Sequence, residues 1–163
     1  MNAPRTLLDH VFDHEARQPE RIVLTQPLGQ GRVVDYRWAD VLDQARRMAA
    51  HLQSLGLPRG ARIAILSKNC AHFIMAELAI WLGGGTTVAI FPTETADTVG
   101  WLLGHSEARL LFVGKLDAWE RQRSGVPAAL PCIALPLAPR TGFDTWDAIV
   151  ARTAPLAGRP QRA

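Results

Sequence analysis

Short runs of Val, Ile, Leu and Phe alternate with longer apolar-rich runs between Ala61 and Val113. ARIAIL, TTVAIF and RLLFV have the length and β-branched content of strands, and the segments between them have the length of helices. Strand, helix, strand, helix, strand is the pattern of a parallel sheet with right-handed crossovers and helices on both faces. The fold class expected is α/β, doubly wound and mostly parallel.

The flanking segments read as an approach and an exit. Pro4 to Arg17 places Leu7, Leu8, Val11 and Phe12 on one helical face, with Pro4 at an early helical position. Arg21–Gln26 and Arg32–Tyr36 read as two strands of a hairpin, with glycines in Leu28-Gly29-Gln30-Gly31 for the turn. From Trp38 to Leu55 apolar residues recur at helical spacing with charged ones between them, and Gly56 caps the end. Asn69 is the expected N-cap of a helix over Cys70–Leu82 that is apolar on nearly every side, broken only by His72 and Glu77. Thr95–Ser106 forms the next helix. After Val113 the expectation is a polar helix over Lys115–Arg123, a strand over Cys132–Leu135, a loop through Pro136, Pro139 and Gly142, and a final helix over Thr145–Ala151. Residues 1–152 then make one unit with its core at 61–113, and 153–163 a Pro/Arg/Ala-rich tether.

Composition adds exclusions. A net charge of +3, carried by scattered arginines, does not make a nucleic-acid stripe. The amino-terminal residues carry acids and histidines where a secretory apolar region would be. The run Phe73–Thr86 is too short and too interrupted to span a bilayer. Cys70 and Cys132 make no metal pattern and suit free thiols in a reducing compartment, so the expected location is cytoplasmic.

Candidate chemistry is thin. Gly83-Gly84-Gly85 follows a helix and precedes a strand, the reverse of a phosphate cradle, and reads as a helix stop with a tight turn. Phe91-Pro92-Thr93-Glu94-Thr95 does follow a strand and open a helix, the position where parallel sheets place ligands. Lacking glycine, it can line a pocket or merely cap a helix. Lys68 in Ser67-Lys68-Asn69 is either an anion contact or solvated. Cys70 at a helix start is either reactive or a small buried residue. His10 and His14 could share a helix face, but a zinc site needs a third protein ligand. No catalytic constellation and no metal site stands out.

The order and spacing of several pieces carry more. Tyr36-Arg37-Trp38 opens an Ala/Leu-rich helix ending at Leu55-Gly56. Gly60-x-Arg62-Ile63-Ala64-Ile65 leads into Asn69 and an apolar helix. Leu82-Gly83-Gly84-Gly85 leads into Thr87-Val88-Ala89-Ile90-Phe91-Pro92-Thr93, then a helix and His105-Ser106-Glu107-Ala108-Arg109-Leu110-Leu111-Phe112-Val113. Together these resemble the amino-terminal part of the adenylate-forming enzymes, which include acyl-CoA synthetases, luciferases and peptide-synthetase adenylation domains. The third piece looks most like the long-chain fatty acyl-CoA synthetase branch.

The resemblance implies a parent reaction in which ATP and Mg activate a carboxylate as an acyl-adenylate and CoA then accepts the acyl group. The family's Ser/Thr/Gly-rich phosphate loop, adenine-binding segment and mobile carboxy-terminal domain have no counterpart in these 163 residues. The chain is therefore expected to be catalytically inactive alone and to bind no cofactor itself. Phe91, Pro92 and Thr93 fall where the family's acyl or pantetheine channel passes, although they depart from the Gly-Gly of acetate-activating members. Expected partners are the remainder of a synthetase or a second copy of the chain, joined through the apolar Cys70–Leu82 helix, with no nucleic acid. The rival expectations are a stand-alone interaction module and a small flavodoxin-like nucleotide or flavin binder.

Overall fold

A computed structural model describes residues 5–158. The first helix, α1 (Leu7–Arg17), is closed by Thr6, whose hydroxyl accepts the Asp9 N–H while the Asp9 carboxylate accepts the Thr6 N–H. Pro4, expected inside this helix, lies outside the described residues. The hairpin follows as β1 (Ile22–Gly29) and β2 (Arg32–Arg37), antiparallel and turning through Gln30 and Gly31, both at positive φ. That is the twist-matched two-residue turn, and it is why glycine sits there.

The main sheet has five strands, all parallel, in the order β4-β3-β5-β6-β7. They are β3 (Arg62–Leu66), β4 (Thr86–Ile90), β5 (Leu110–Val113), β6 (Cys132–Ala134) and β7 (Asp144–Thr145). The helices are α2 (Trp38–Ser54), α3 (Ala71–Leu82), α4 (Ala96–His105), the short α5 (Trp119–Gln122) and α6 (Trp146–Arg152). Alternate strand residues serve opposite faces. Ile63, Ile65, Leu110 and Phe112 bury against α2, α3 and α6, while Ala64, Leu66, Leu111 and Val113 bury against α4 and the Leu116–Trp119 segment. Burial on both faces explains why β3 and β5 read as unbroken apolar runs.

α3 is sheathed on most sides, and eight of its twelve residues are buried, with Ile74 the large apolar side chain left exposed. Inside, a polar knot ties three helices: Gln44 Oε1 on α2 accepts the Trp146 indole N–H of α6 at 2.9 Å and lies 3.3 Å from His72 Nε2 on α3. Burial pushes the His72 imidazole down to about 4, so it is held neutral among the rings of Tyr36 and Trp146. α1 is clamped to α2 by a two-pronged contact of Arg46 with Glu15 at 2.6 and 2.5 Å.

Three details differ from the sequence reading. Asn69 does not cap α3; Cys70 takes the N-cap position without a side-chain bond, and the Ala71 N–H is accepted at 2.8 Å by the buried Gln26 of β1. The helix expected over Lys115–Arg123 starts only at Trp119, because the Lys115 N–H is taken by Ser67 Oγ and its carbonyl accepts the Lys68 N–H. A two-residue strand, β7, takes Asp144 and Thr145, so the last helix, expected from Thr145, begins at Trp146 with Thr145 as its cap. Among the described residues no helix is long and apolar enough to cross a membrane.

Candidate functional site

In a parallel sheet of this order the chain leaves β3 for one neighbour, β4, and then returns past it to β5 on the other side. The loops at the carboxyl ends of β3 and β5 therefore diverge, which is where such sheets open a ligand crevice. Here that crevice is filled. Ser67 is buried, its Oγ accepts the Lys115 N–H at 3.0 Å and donates to the Lys68 carbonyl at 2.7 Å. Gly114 follows β5 and lies so close that a Cβ there would stand 2.2 Å from Ser67 Oγ. Lys68, the one cation of the first loop, is paired with Asp117 across the closure. Among the described residues the loops after β3 and β5 hold a single glycine, Gly114, and it is packed against Ser67, so these residues do not fit a nucleotide phosphate.

The loop after the edge strand β4 is the open part of the carboxyl edge. Phe91 is 75% exposed, with Pro92 half-buried and Thr93 exposed beside it. Thr95 caps α4 by accepting the Thr98 N–H, so the turn is fixed on its helix side. From behind it is held by Gln122, a fully buried side chain of α5 whose amide NH2 donates to the carbonyls of Pro92 and Glu94, both at 2.9 Å. The Gln122 Oε1 is buried without a partner. α5 can sit this close because Gly125, just after it, lies against the Ala96 carbonyl, where a Cβ would come within 1.9 Å. A rigid turn thus presents an exposed aromatic side chain at the sheet's edge.

The other residues singled out from sequence are dispersed. Gly83 ends α3, Gly84 turns at positive φ and Gly85 seats its N–H on the Ile80 carbonyl at 2.8 Å, the helix stop expected of them. Cys70 lies 3.8 Å from Ser67 Oγ. His10 and His14 are exposed, and His14 stacks on Trp38 with ring centroids 5.4 Å apart. No group of three or more His, Cys, Asp or Glu among the described residues could hold a metal ion. Gln122 and Ser67 were missed; both are ordinary polar residues in sequence, and their roles come from partners 28 to 48 positions away.

Comparison with known proteins places this geometry. The family model of AMP-binding enzymes matches residues 11–150. The long-chain-fatty-acid–CoA ligase FadD15 of Mycobacterium bovis is 35% identical over 116 residues, covering 68% of this chain and 19% of that protein. The acyl-CoA ligase sidI of Aspergillus fumigatus is 30% identical over 134 residues, covering 74% of this chain and 23% of that one. The chain thus aligns with about a fifth of the length of these relatives. Among solved structures, an anthranilate CoA ligase, AuaEII, in complex with anthranoyl-AMP superposes with a TM-score of 0.80 at 17% identity, covering 99% of this chain and 31% of that one. A benzoate CoA ligase from Burkholderia xenovorans LB400 gives 0.76 at 19% identity over 94% of this chain and 30% of its own. At those identities the structural likeness speaks for the fold.

Proposed function

The chain belongs to the AMP-binding enzyme family, and we propose on that footing that it serves as the first α/β subdomain of an acyl-CoA ligase and activates no carboxylate by itself. The observation that carries this reading is the family match over residues 11–150, nearly the whole chain. It is supported by the packing of Ser67 against Gly114, which closes the crevice between the carboxyl ends of β3 and β5. In this reading ATP, Mg and CoA are handled by other parts of the ligase. The acid is fatty or otherwise apolar, in keeping with the name of the FadD15 relative. Phe91, Pro92 and Thr93 line the acyl path, their backbone pinned by Gln122 so that an apolar wall is offered without reorganisation.

A purified 163-residue chain is accordingly expected to show no ATP–pyrophosphate exchange with acetate, benzoate or fatty acids. Exchange above the no-enzyme background with any of them would overturn the reading.

A second reading, an interaction module working alone in the cytoplasm, is favoured by one observation. α1 and α3 enclose a surface groove of about 260 Å³ lined by Val11, Val23, Trp38, Ile74, Leu78 and Trp81. In the ligase reading the remainder of the protein covers it. In the module reading a second copy does, and the chain sediments as a dimer at tens of micromolar; a monomeric profile would count against the module.

A further inference from the structure

The two faces of the main sheet are unequally covered. Three helices lie over one face, while the other has α4 and the four-residue α5. Beyond those two helices, over β6, the cover is made by segments 126–130 and 140–143, and a pocket of about 350 Å³ remains between them. It lies toward the amino ends of β6 and β7, since Cys132 begins β6 and Phe143 immediately precedes β7. The Phe91–Thr93 turn belongs to the carboxyl edge and contributes no residue to the pocket lining, although α5 touches both.

The pocket mixes polar and apolar lining, and its apolar part is an uncharged aromatic wall. Trp119, 5% exposed, meets Phe143 edge to face with centroids 6.0 Å apart, and Val126 and Leu130 extend this apolar wall. The Cys132 thiol also lines it, donating to the Leu130 carbonyl at 3.4 Å. Burial pushes that thiol up to about 11, so it brings no negative charge at neutral pH. The rim carries two arginines and one carboxylate, Glu120. Arg123 is engaged by Glu120 at 3.0 Å, whereas Arg140, exposed at the mouth, has no ion-pair or hydrogen-bond partner among the described residues.

We propose that this pocket binds a small organic anion, its apolar or aromatic body seated on Trp119 and Phe143 and its carboxylate or phosphate held by Arg140. A guanidinium offers two parallel N–H donors that match either anion, and beside an apolar surface such a bond is stronger than in open water. The body of the ligand removes the pocket lining from water, which an inorganic anion cannot do. An uncharged molecule would leave Arg140 without a partner, and an organic cation would be repelled by Arg140, the one charge of the rim that Glu120 and Arg123 do not offset between themselves. The volume is in the range of small-molecule sites. None of these residues belongs to the Phe91–Thr93 turn or to the closed crevice, so the inference does not rest on the ligase reading.

The test is a titration of the isotope-labelled 163-residue chain, following indole and guanidinium N–H resonances, with benzoate, phenyl phosphate and benzylamine as separate probes. The expected result is a saturable shift of the Trp119 indole with at least one of the anions and none with benzylamine. Whichever anion binds more tightly identifies the headgroup as carboxylate or phosphate. Arg140→Gln changes an exposed side chain and leaves the fold intact. It should weaken binding about tenfold or more, the worth of one charge-assisted hydrogen bond. Arg121→Gln, also exposed but outside the pocket, should leave affinity unchanged. No saturable shift with either anion, equal binding of benzylamine, unchanged affinity in Arg140→Gln, or equal loss in Arg121→Gln would each overturn the proposal.

Discussion

Ser67 and Gly114 share one small space at the carboxyl ends of the two central strands: the serine hydroxyl occupies the volume that any side chain at 114 would need. The serine is buried and bonded on both sides, to the Lys115 N–H and the Lys68 carbonyl, so it cannot swing away without orphaning a backbone group. Gly114→Ala is therefore expected to destabilise the fold by about 2 to 3 kcal/mol, the range of overpacking in a closed site. Gly104→Ala is the contrast. Its added methyl meets nothing within 4 Å, and it lies inside α4. That change should stabilise by roughly 0.5 to 1 kcal/mol through helix propensity. Urea unfolding of both variants checks the pair, and equal effects would show the crevice to be looser than the geometry says.

Gln26 is the cap that α3 does not carry in its own sequence. Replacing it with Ala leaves the Ala71 N–H buried without an acceptor, and the loss should be about 1 to 2 kcal/mol. Because Gln26 belongs to β1, hydrogen exchange at the start of α3 should quicken together with exchange in the hairpin. Faster exchange in the hairpin alone would mean that the cap is not shared between them.

The neutral His72 makes stability fall in mild acid. Its imidazole titrates near 6.5 when free and near 4 in the fold, chiefly because burial disfavours the charged form, with Asp147 opposing. The unfolded chain thus takes up the proton first. The stabilising contribution is complete above about pH 6.5 and is lost progressively as pH falls toward 4, amounting to about 3 kcal/mol at most. His51, also lowered by burial, acts in the same direction. His72→Phe keeps a ring between Tyr36 and Trp146 and should flatten the stability profile between pH 4 and 6.5. An unchanged slope in that variant would assign the acid sensitivity elsewhere.

Gln122 holds the Phe91–Thr93 turn through two carbonyls, and Gln122→Met keeps much of the volume while removing both donors. The Glu94 N–H, which closes the turn on the Phe91 carbonyl at 3.2 Å, should exchange faster in that variant while the β3 and β5 amides stay protected. Unchanged protection at Glu94 would show the turn to be rigid without Gln122.

What the sequence disclosed follows from the range of the interactions involved. The alternation over Ala61–Val113 was legible because burial on both sheet faces turns each strand into an apolar run and each crossover into a longer one. The helix stop at Gly83–Gly85 was legible because it depends on backbone geometry within a few residues. The carboxyl-edge position of Phe91-Pro92-Thr93 was likewise readable from strand and helix order. Its support by Gln122 was not, and neither was the filling of the crevice by Ser67, since each relies on partners tens of residues away. Gln26 capping α3 and Gln44 joining His72 to Trp146 are of the same kind. The pocket under Trp119 and Phe143 arises where helices are absent from a sheet face, which no local pattern records. β7 escaped because two residues are too few for any periodicity.

The central claim is that this chain acts as the opening subdomain of a longer acyl-CoA ligase. The most direct test is the mass of the native protein in its source cells, by immunoblotting with an antibody raised against the 163-residue segment. The account expects a band several times heavier than the 17.9 kDa of this chain. A single band at that mass would contradict it, and would turn attention to whatever covers the groove between α1 and α3.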